Sequence, residues 1–509
     1  MRLLIFILLC IGSVSYGQFS NVVIGDSNDP SRVRNFSGFI GTTKTALFTL
    51  DYIYLNRKKQ ELLVSKYYKT DLKEMQTTDI FSNPYEDYWS DPQELYFQNG
   101  EFQLFSILKD VRDNYHLLRL QRFNEHLESI SDEVIDTIRP EEKAKFIEEE
   151  SGDGFIVSYY DKLAKIKDRY VRVLALNPDG TERFREKVKS PVALQNFVVE
   201  DLIYKKNQPL YILCNYSLIS NASLTNSQDR LINNKYTLWA YDRDHKFLKE
   251  FEMRFNIKWA HGVKMELNQS DELVISGFVN ETRNRSVNGV FTMIVNKNFE
   301  VINSSTEALE MDVVNQFLSE REIDKVKEID GLYLREMIMM EDDSYYLLGE
   351  EYDKYTERNY DPRTNITTTI DHFYFYSILA VHFTPEGKVN WAKRIGKMQN
   401  STNDEGYFSS FATFANRNEL YIYFNDHKDN VNLPSDAKDI EDLNENRRSV
   451  IAGLQITADS ISARKLIGPS NYDFYLRASM SNQISDEYIY LQTEGKRSGR
   501  ILAIPLEED

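Results

Sequence analysis

The feature that most limits how this chain can fold is a short pattern that it repeats. Residues 174–188, LALNPDGTERFREKV, set an apolar alternating run, a Pro-Asp-Gly turn and a more polar alternating run in succession. Alternation with period two puts one set of side chains on one face of a strand. Pro, Asp and Gly supply the preset or positive φ that a tight hairpin demands. The same pattern returns as ELLVSKYYKTDLKEMQTT, YHLLRLQRFNEHLESISD and YTLWAYDRDHKFLKEFEM, and again as VFTMIVNKNFEVINSS, ILAVHFTPEGKVNWAKRI and VIAGLQITADSISARKLI.

A further pair of strand-like runs precedes most of these hairpins. Examples are FVVEDLIYKKN with PLYILCNYSL, YLREMIMMED with SYYLLGEEY, and SSFATFANRN with ELYIYFNDH. The repeating unit is therefore four strands, a to d, with an apolar c and a polar d. One such sheet cannot bury both of its faces, but sheets stacked radially can. The expected fold is all-β: a β-propeller of about eight four-stranded blades, with seven as the alternative. A pair of β-sandwiches fits the repeated strand order less well. The last unit supplies a, b and c (GRILAIPLEED) and then the sequence stops. SNVVIGD, residues 20–26, is the candidate for its outer strand, closing the ring.

The first residues, MRLLIFILLCIGSVSYGQ, read as a signal peptide over 1–17, with Arg2, an apolar run and small residues before Gln18. That leaves 18–509 as one propeller domain. No later run has the length and apolarity of a transmembrane helix. Cys214 is then the sole cysteine of the mature chain, placed in a strand as a small hydrophobe, so no internal disulfide is expected. A formal charge of −18 argues against nucleic acid as a partner.

Long insertions fall at 217–234, 280–288, 354–373 and 426–448, between b and c strands, and at 306–330, between d and a. In a propeller all five lie on one face, the place where repeat proteins elaborate binding loops. Within 306–330 a helix is expected, with Val313, Val314, Phe317, Leu318 and Val326 as its apolar stripe.

Catalytic motifs are missing: no HExxH, GxSxG, Walker loop or CxxC occurs. His372 and His382 read as packed imidazoles. TPEGKVNW (384–391) departs from the Asp-box turn, which is structural in any case. Glu350-Glu351 invites comparison with glycosidase acids, but neighbours on a strand point to opposite faces. The acidic loop 426–446 lacks the D-x-D-x-D-G frame of a calcium site, so no metal and no cofactor are expected. The sequons at Asn215 and Asn365 do not settle a modification.

Over SYYLLGEEYDKY, YFYSILAVHFTPEGKVNWAKRIGKMQ and GYFSSFATFANRNELYIYFNDHKDN, chiefly 332–430, the chain resembles a family of exported β-propeller proteins of Gram-negative bacteria. That resemblance implies a fold and a compartment more than an activity. With no sorting domain after the last blade, the expected location is the periplasm, with the cell surface or secretion as alternatives. The leading expectation is a non-catalytic protein-binding scaffold, monomeric by itself, serving an outer-membrane transport or secretion complex. A glycan hydrolase with carboxylates at the ring mouth is the alternative. Aromatic and Arg anchors carry much interface energy. The partner is expected to dock across insertions 354–373 and 426–448 of neighbouring blades. The candidate binding residues are accordingly Tyr352, Tyr355, Tyr360 and Arg363 at the former, with Asp426 and His427 at the start of the latter.

Overall fold

A computed structural model describes residues 22–26, 34–56, 59–81, 88–109, 115–148, 154–161, 170–189, 195–204, 209–217, 234–241, 247–252, 259–280, 286–323, 325–444, 449–468, 474–481, 483–485, 487–495 and 499–506. The expected signal peptide and the insertion 218–233 lie outside them. Within them are eight antiparallel sheets, seven of four strands and one of five. In sequence order they occupy 34–79, 89–138, 142–189, 195–252, 259–308, 332–402, 412–467 and 475–505, numbered here as blades 1 to 8. Blades 1 to 7 run a to d in chain order. The a strands of blades 1 and 2, 4 and 5, and 5 and 6 touch one another, which puts them on the axis.

The core is a ring of eight apolar clusters, one at each seam. Phe48 meets Phe102 between blades 1 and 2, edge to face at 5.0 Å. Phe105 meets Val157 in the next seam, and Ile156 meets Trp239 in the one after. Leu238 joins Phe291, Val290 joins Leu379, and Leu348 joins Ile422. Tyr423 packs with Leu491 between blades 7 and 8, and Leu47 with Tyr490 between blades 8 and 1. Neighbours such as Leu238 and Trp239 serve different seams because successive strand side chains leave opposite faces. That is why the c strands read as unbroken apolar runs.

Closure comes from the N-terminal side. Val23 pairs with Ala503 and Ile24 with Leu502, antiparallel, and the Gly25 N–H donates to the Ile501 carbonyl at 2.9 Å. Blade 8 is thus Tyr475–Leu476, Tyr488–Glu494, Gly499–Pro505 and Val23–Ile24. The chain is an eight-bladed β-propeller, and the seven-bladed alternative falls.

The helix expected within 306–330 is α1, Met311–Phe317, and is only seven residues long. Val313 and Val314 are buried in the seam of blades 5 and 6, with Phe317 and Leu318 packed beside them. Val326 lies beyond the helix, in an irregular stretch. Cys214 is buried in the seam of blades 3 and 4, where burial pushes its thiol well above the ordinary value.

Candidate functional site

Blade 6 carries the largest regular elaboration among the described residues. Its b strand runs Tyr345–Asp361 and its c strand Ile366–Phe383. Pairing with the a strand stops at Glu351↔Leu332, yet the b–c ladder continues to Asp361↔Ile366. The insertion expected as a loop over 354–373 is therefore a two-stranded arm. Thr, Ile and Tyr, at half of the paired positions in 354–361 and 366–373, favour strand over loop. Pro362-Arg363-Thr364-Asn365 form the turn, with Asn365 at φ 55°. Tyr360 closes it by donating its hydroxyl to Asn365 Oδ1 at 2.9 Å. The arm reaches about 30 Å beyond the a strand at strand rise. Its lower half gains a fifth strand, Gln399–Thr402, paired with 372–375.

Beneath the arm, blades 6 and 7 are joined by buried charge. Glu350 Oε1 lies 2.8 Å from Lys397 Nζ, and both side chains are fully shielded from solvent. Its Oε2 accepts from Arg335 Nε at 2.9 Å and from Ser410 Oγ at 2.8 Å. Lys397 also donates to Gln399 Oε1 at 2.9 Å. Burial lowers the Lys397 pKa, while Glu350 opposes the shift. A bulge between Glu350 and Tyr352 interrupts the alternation. Burial, only partly offset by Arg394, raises the neighbouring Glu351 to about 7, and Lys397 also lowers it, as a smaller electrostatic influence than Arg394.

The loop after the blade 7 b strand is folded against the same seam. Asp426 Oδ1 accepts from Asn430 Nδ2 at 2.7 Å, and Asp426 Oδ2 lies 3.2 Å from Arg464 Nε. Arg464 also donates to the carbonyls of Pro434 and Gly396. Burial raises Asp426 and lowers Arg464, so each charge survives through its partners rather than through water.

These contacts sort the six candidate residues. Tyr355 and Tyr360 are 57% and 60% exposed on the arm, and Arg363 is exposed at its tip. Tyr352 is half-buried against Phe375 and Tyr333 at the arm's base. Asp426 and His427 are only 2% and 4% exposed, which corrects the expectation that they front a docking surface. Asp426 opens the insertion in sequence, but Arg464 and Asn430 close over its carboxylate in the fold. His382 is packed between Tyr346 and Trp391. Asn215 of the first sequon is buried, whereas Asn365 of the second is exposed in the turn.

One group escaped the sequence reading. In HFYFY, Phe373 and Phe375 are buried, while His372, Tyr374 and Tyr376 face outward in a file. Reading that stretch with period two would have found it. Among the described residues no group of three or more His, Cys, Asp or Glu is arranged to hold a metal ion, and no helix is long and apolar enough to cross a membrane.

No protein-family profile matches the chain, and no curated protein sequence does. Among solved structures it is similar to the Dos1 propeller, at 8% identity and a TM-score of 0.45, covering 95% of this chain and 96% of that one. The propeller domain of the trilobed protease of Pyrococcus furiosus aligns at 10% identity and a TM-score of 0.35, covering 82% and 95%. The acylaminoacyl peptidase of Pyrococcus horikoshii aligns at 9% identity and a TM-score of 0.38; 80% of this chain spans about half, 49%, of that enzyme. All three similarities are too distant to bear on activity, and the fold rests on the sheets and seams described above.

Proposed function

We propose that the protein is a non-catalytic, exported scaffold that captures a protein partner with the blade 6 arm, in the periplasm at an outer-membrane transport or secretion complex. The arm itself carries this reading. A two-stranded ribbon standing beyond its blade is marginal in water unless something braces it. Here the base is fixed by a fifth strand and a buried ion pair, while the far half is left open with Tyr355, Tyr360 and Ile366 exposed. A rigid base under an exposed aromatic tip suits docking by strand addition or by aromatic anchors. The apolar, signal-like start of the sequence supports export.

The carboxylate alternative is weaker on its own ground. Both oxygens of Glu350 are engaged by Lys397, Arg335 and Ser410, so the group lacks the freedom of a general acid or nucleophile. The decisive experiment replaces residues 355–372 by a two-residue Asn-Gly turn joining Lys354 to Phe373. Partner capture from native envelopes, identified by mass spectrometry, should be lost with the melting temperature nearly unchanged. Undiminished capture by the shortened protein would overturn the reading.

A further inference from the structure

The two faces of the blade 6 arm differ in chemistry. Register places Asp353, Tyr355 and Glu357 on one face with their partners Tyr374, His372 and Ile370. The other face carries Lys354, Thr356, Arg358 and Tyr360 with Phe373, Asp371, Thr369 and Thr367. Lys354 is occupied there by Asp371 at 3.0 Å. The first face is therefore acidic and aromatic over this span, with no Lys or Arg.

Its rings form a continuous file. The Tyr355 and His372 centroids are 6.0 Å apart at 30°. His372 and Tyr374 follow at 6.4 Å and 14°, and Tyr374 and Tyr376 at 5.9 Å and 11°. The file descends past the fifth strand, where Asn400, the register partner of Tyr374, holds Asp442 Oδ2 at 2.6 Å. Asp353 is the register partner of Tyr374, and Asp442 reaches the file through Asn400. Burial raises the Tyr376 phenol, and Tyr374, Asp353, Asp442 and Glu351 add to the rise. Electron-rich rings flanked by carboxylates attract cations through both the ring quadrupole and net charge. The same carboxylates repel phosphate and anionic glycans.

We propose that this face, Tyr355–His372–Tyr374–Tyr376 with Asp353, Glu357 and Asp442, is the docking strip for an extended segment of a partner protein bearing Lys or Arg at alternate positions. The proposal rests on the docking function assigned to the arm and adds the chemistry of what is docked. Alternate residues of an extended segment share one face and repeat at about 6.5–7 Å, close to the spacing of the rings. A cation can thus meet the file at successive rungs.

Three labelled probes test it with the full chain: an octapeptide alternating Arg and Thr, its Glu–Thr counterpart, and cellohexaose as a neutral glycan. The Arg–Thr peptide should bind and the other two should not. Tyr374→Ala with Tyr376→Ala should weaken it at least tenfold, as should Asp353→Asn with Glu357→Gln, whereas Lys354→Ala with Arg358→Ala should change it less than twofold. If the double alanine variant fails to fold, Tyr374→Leu with Tyr376→Leu keeps the packing and removes the phenol rings. Arg–Thr binding that is unaffected by the strip variants, or binding of cellohexaose in place of the peptide, overturns the proposal. Envelope partner capture that survives the leucine pair but is lost with the arm also overturns the strip while leaving the docking function intact. Capture that survives loss of the arm overturns the docking function itself.

Discussion

Lys397 Nζ and Glu350 Oε1 meet at 2.8 Å with neither side chain reaching solvent, and the two residues lie on separate segments of blade 6. The contact fixes the link after the d strand to the point where the b strand leaves the blade. It also sets the height at which the fifth strand begins. Removing one member of a buried pair leaves the other uncompensated, at a cost of about 3–5 kcal/mol.

Lys397→Met is accordingly expected to destabilise the protein by about that amount in urea titration, and Lys397→Met with Glu350→Leu by clearly less. A double variant as unstable as the single one would assign the energy to packing rather than to charge.

Glu351 gives a pH dependence. Its folded value is raised to about 7 from an ordinary 4.5, so the folded state holds a proton that the unfolded state releases. Its contribution to stability is complete below about 4.5 and is lost as pH rises through about 7. The size is on the order of 2–3 kcal/mol, reduced by whatever water reaches the group. Burial raises Glu336 and Asp426 in the same direction. Comparison of wild type with Glu351→Gln isolates the one group: between pH 5 and 8 the variant should lose less stability. Parallel curves would contradict this.

The six candidate residues divide under mutation. Tyr360→Ala with Arg363→Ala should weaken partner capture by about 1–3 kcal/mol and barely move the melting temperature. Asp426→Ala should instead destabilise by about 3–5 kcal/mol, because Arg464 is left buried without its carboxylate. Calorimetry beside a capture assay separates the two behaviours.

Ring closure is tested by a form that begins at residue 32. Without Val23 and Ile24 the strand Gly499–Pro505 presents an unpaired edge, and the seam cluster loses Val22 and Ile24. Lower melting temperature and concentration-dependent association by light scattering are expected. Unchanged melting and a strictly monomeric state would refute the closure.

Gly277→Ala addresses the inner packing of blade 5. An added Cβ would lie 1.9 Å from the Gly262 carbonyl oxygen, a backbone atom that cannot turn aside. Overpacking of this kind costs about 1–3 kcal/mol. A neutral result in urea titration would mean that the a and b strands separate there without penalty.

The repeated hairpins are written locally, in turn residues and period-two alternation, and those are short-range properties. They pointed to the four-strand unit, the closing strand at Val23–Ile24 and the apolar c strands that fill the seams, while the choice of eight blades over seven came from the eight sheets themselves. The exposure of Tyr355 and Tyr360 also follows from local pattern, since nothing apolar is written opposite them. What tertiary structure alone decided depends on groups far apart in sequence. Asp426 is buried because Arg464 arrives from the blade 7 d side, and Glu350 is neutralised because Lys397 and Ser410 close over it. The insertion 354–373 is an arm and not a loop because its two halves pair with each other and with Gln399–Thr402. Charge burial and strand pairing are settled by which segments meet in space, and that information resides in the closed ring rather than in any one stretch of sequence.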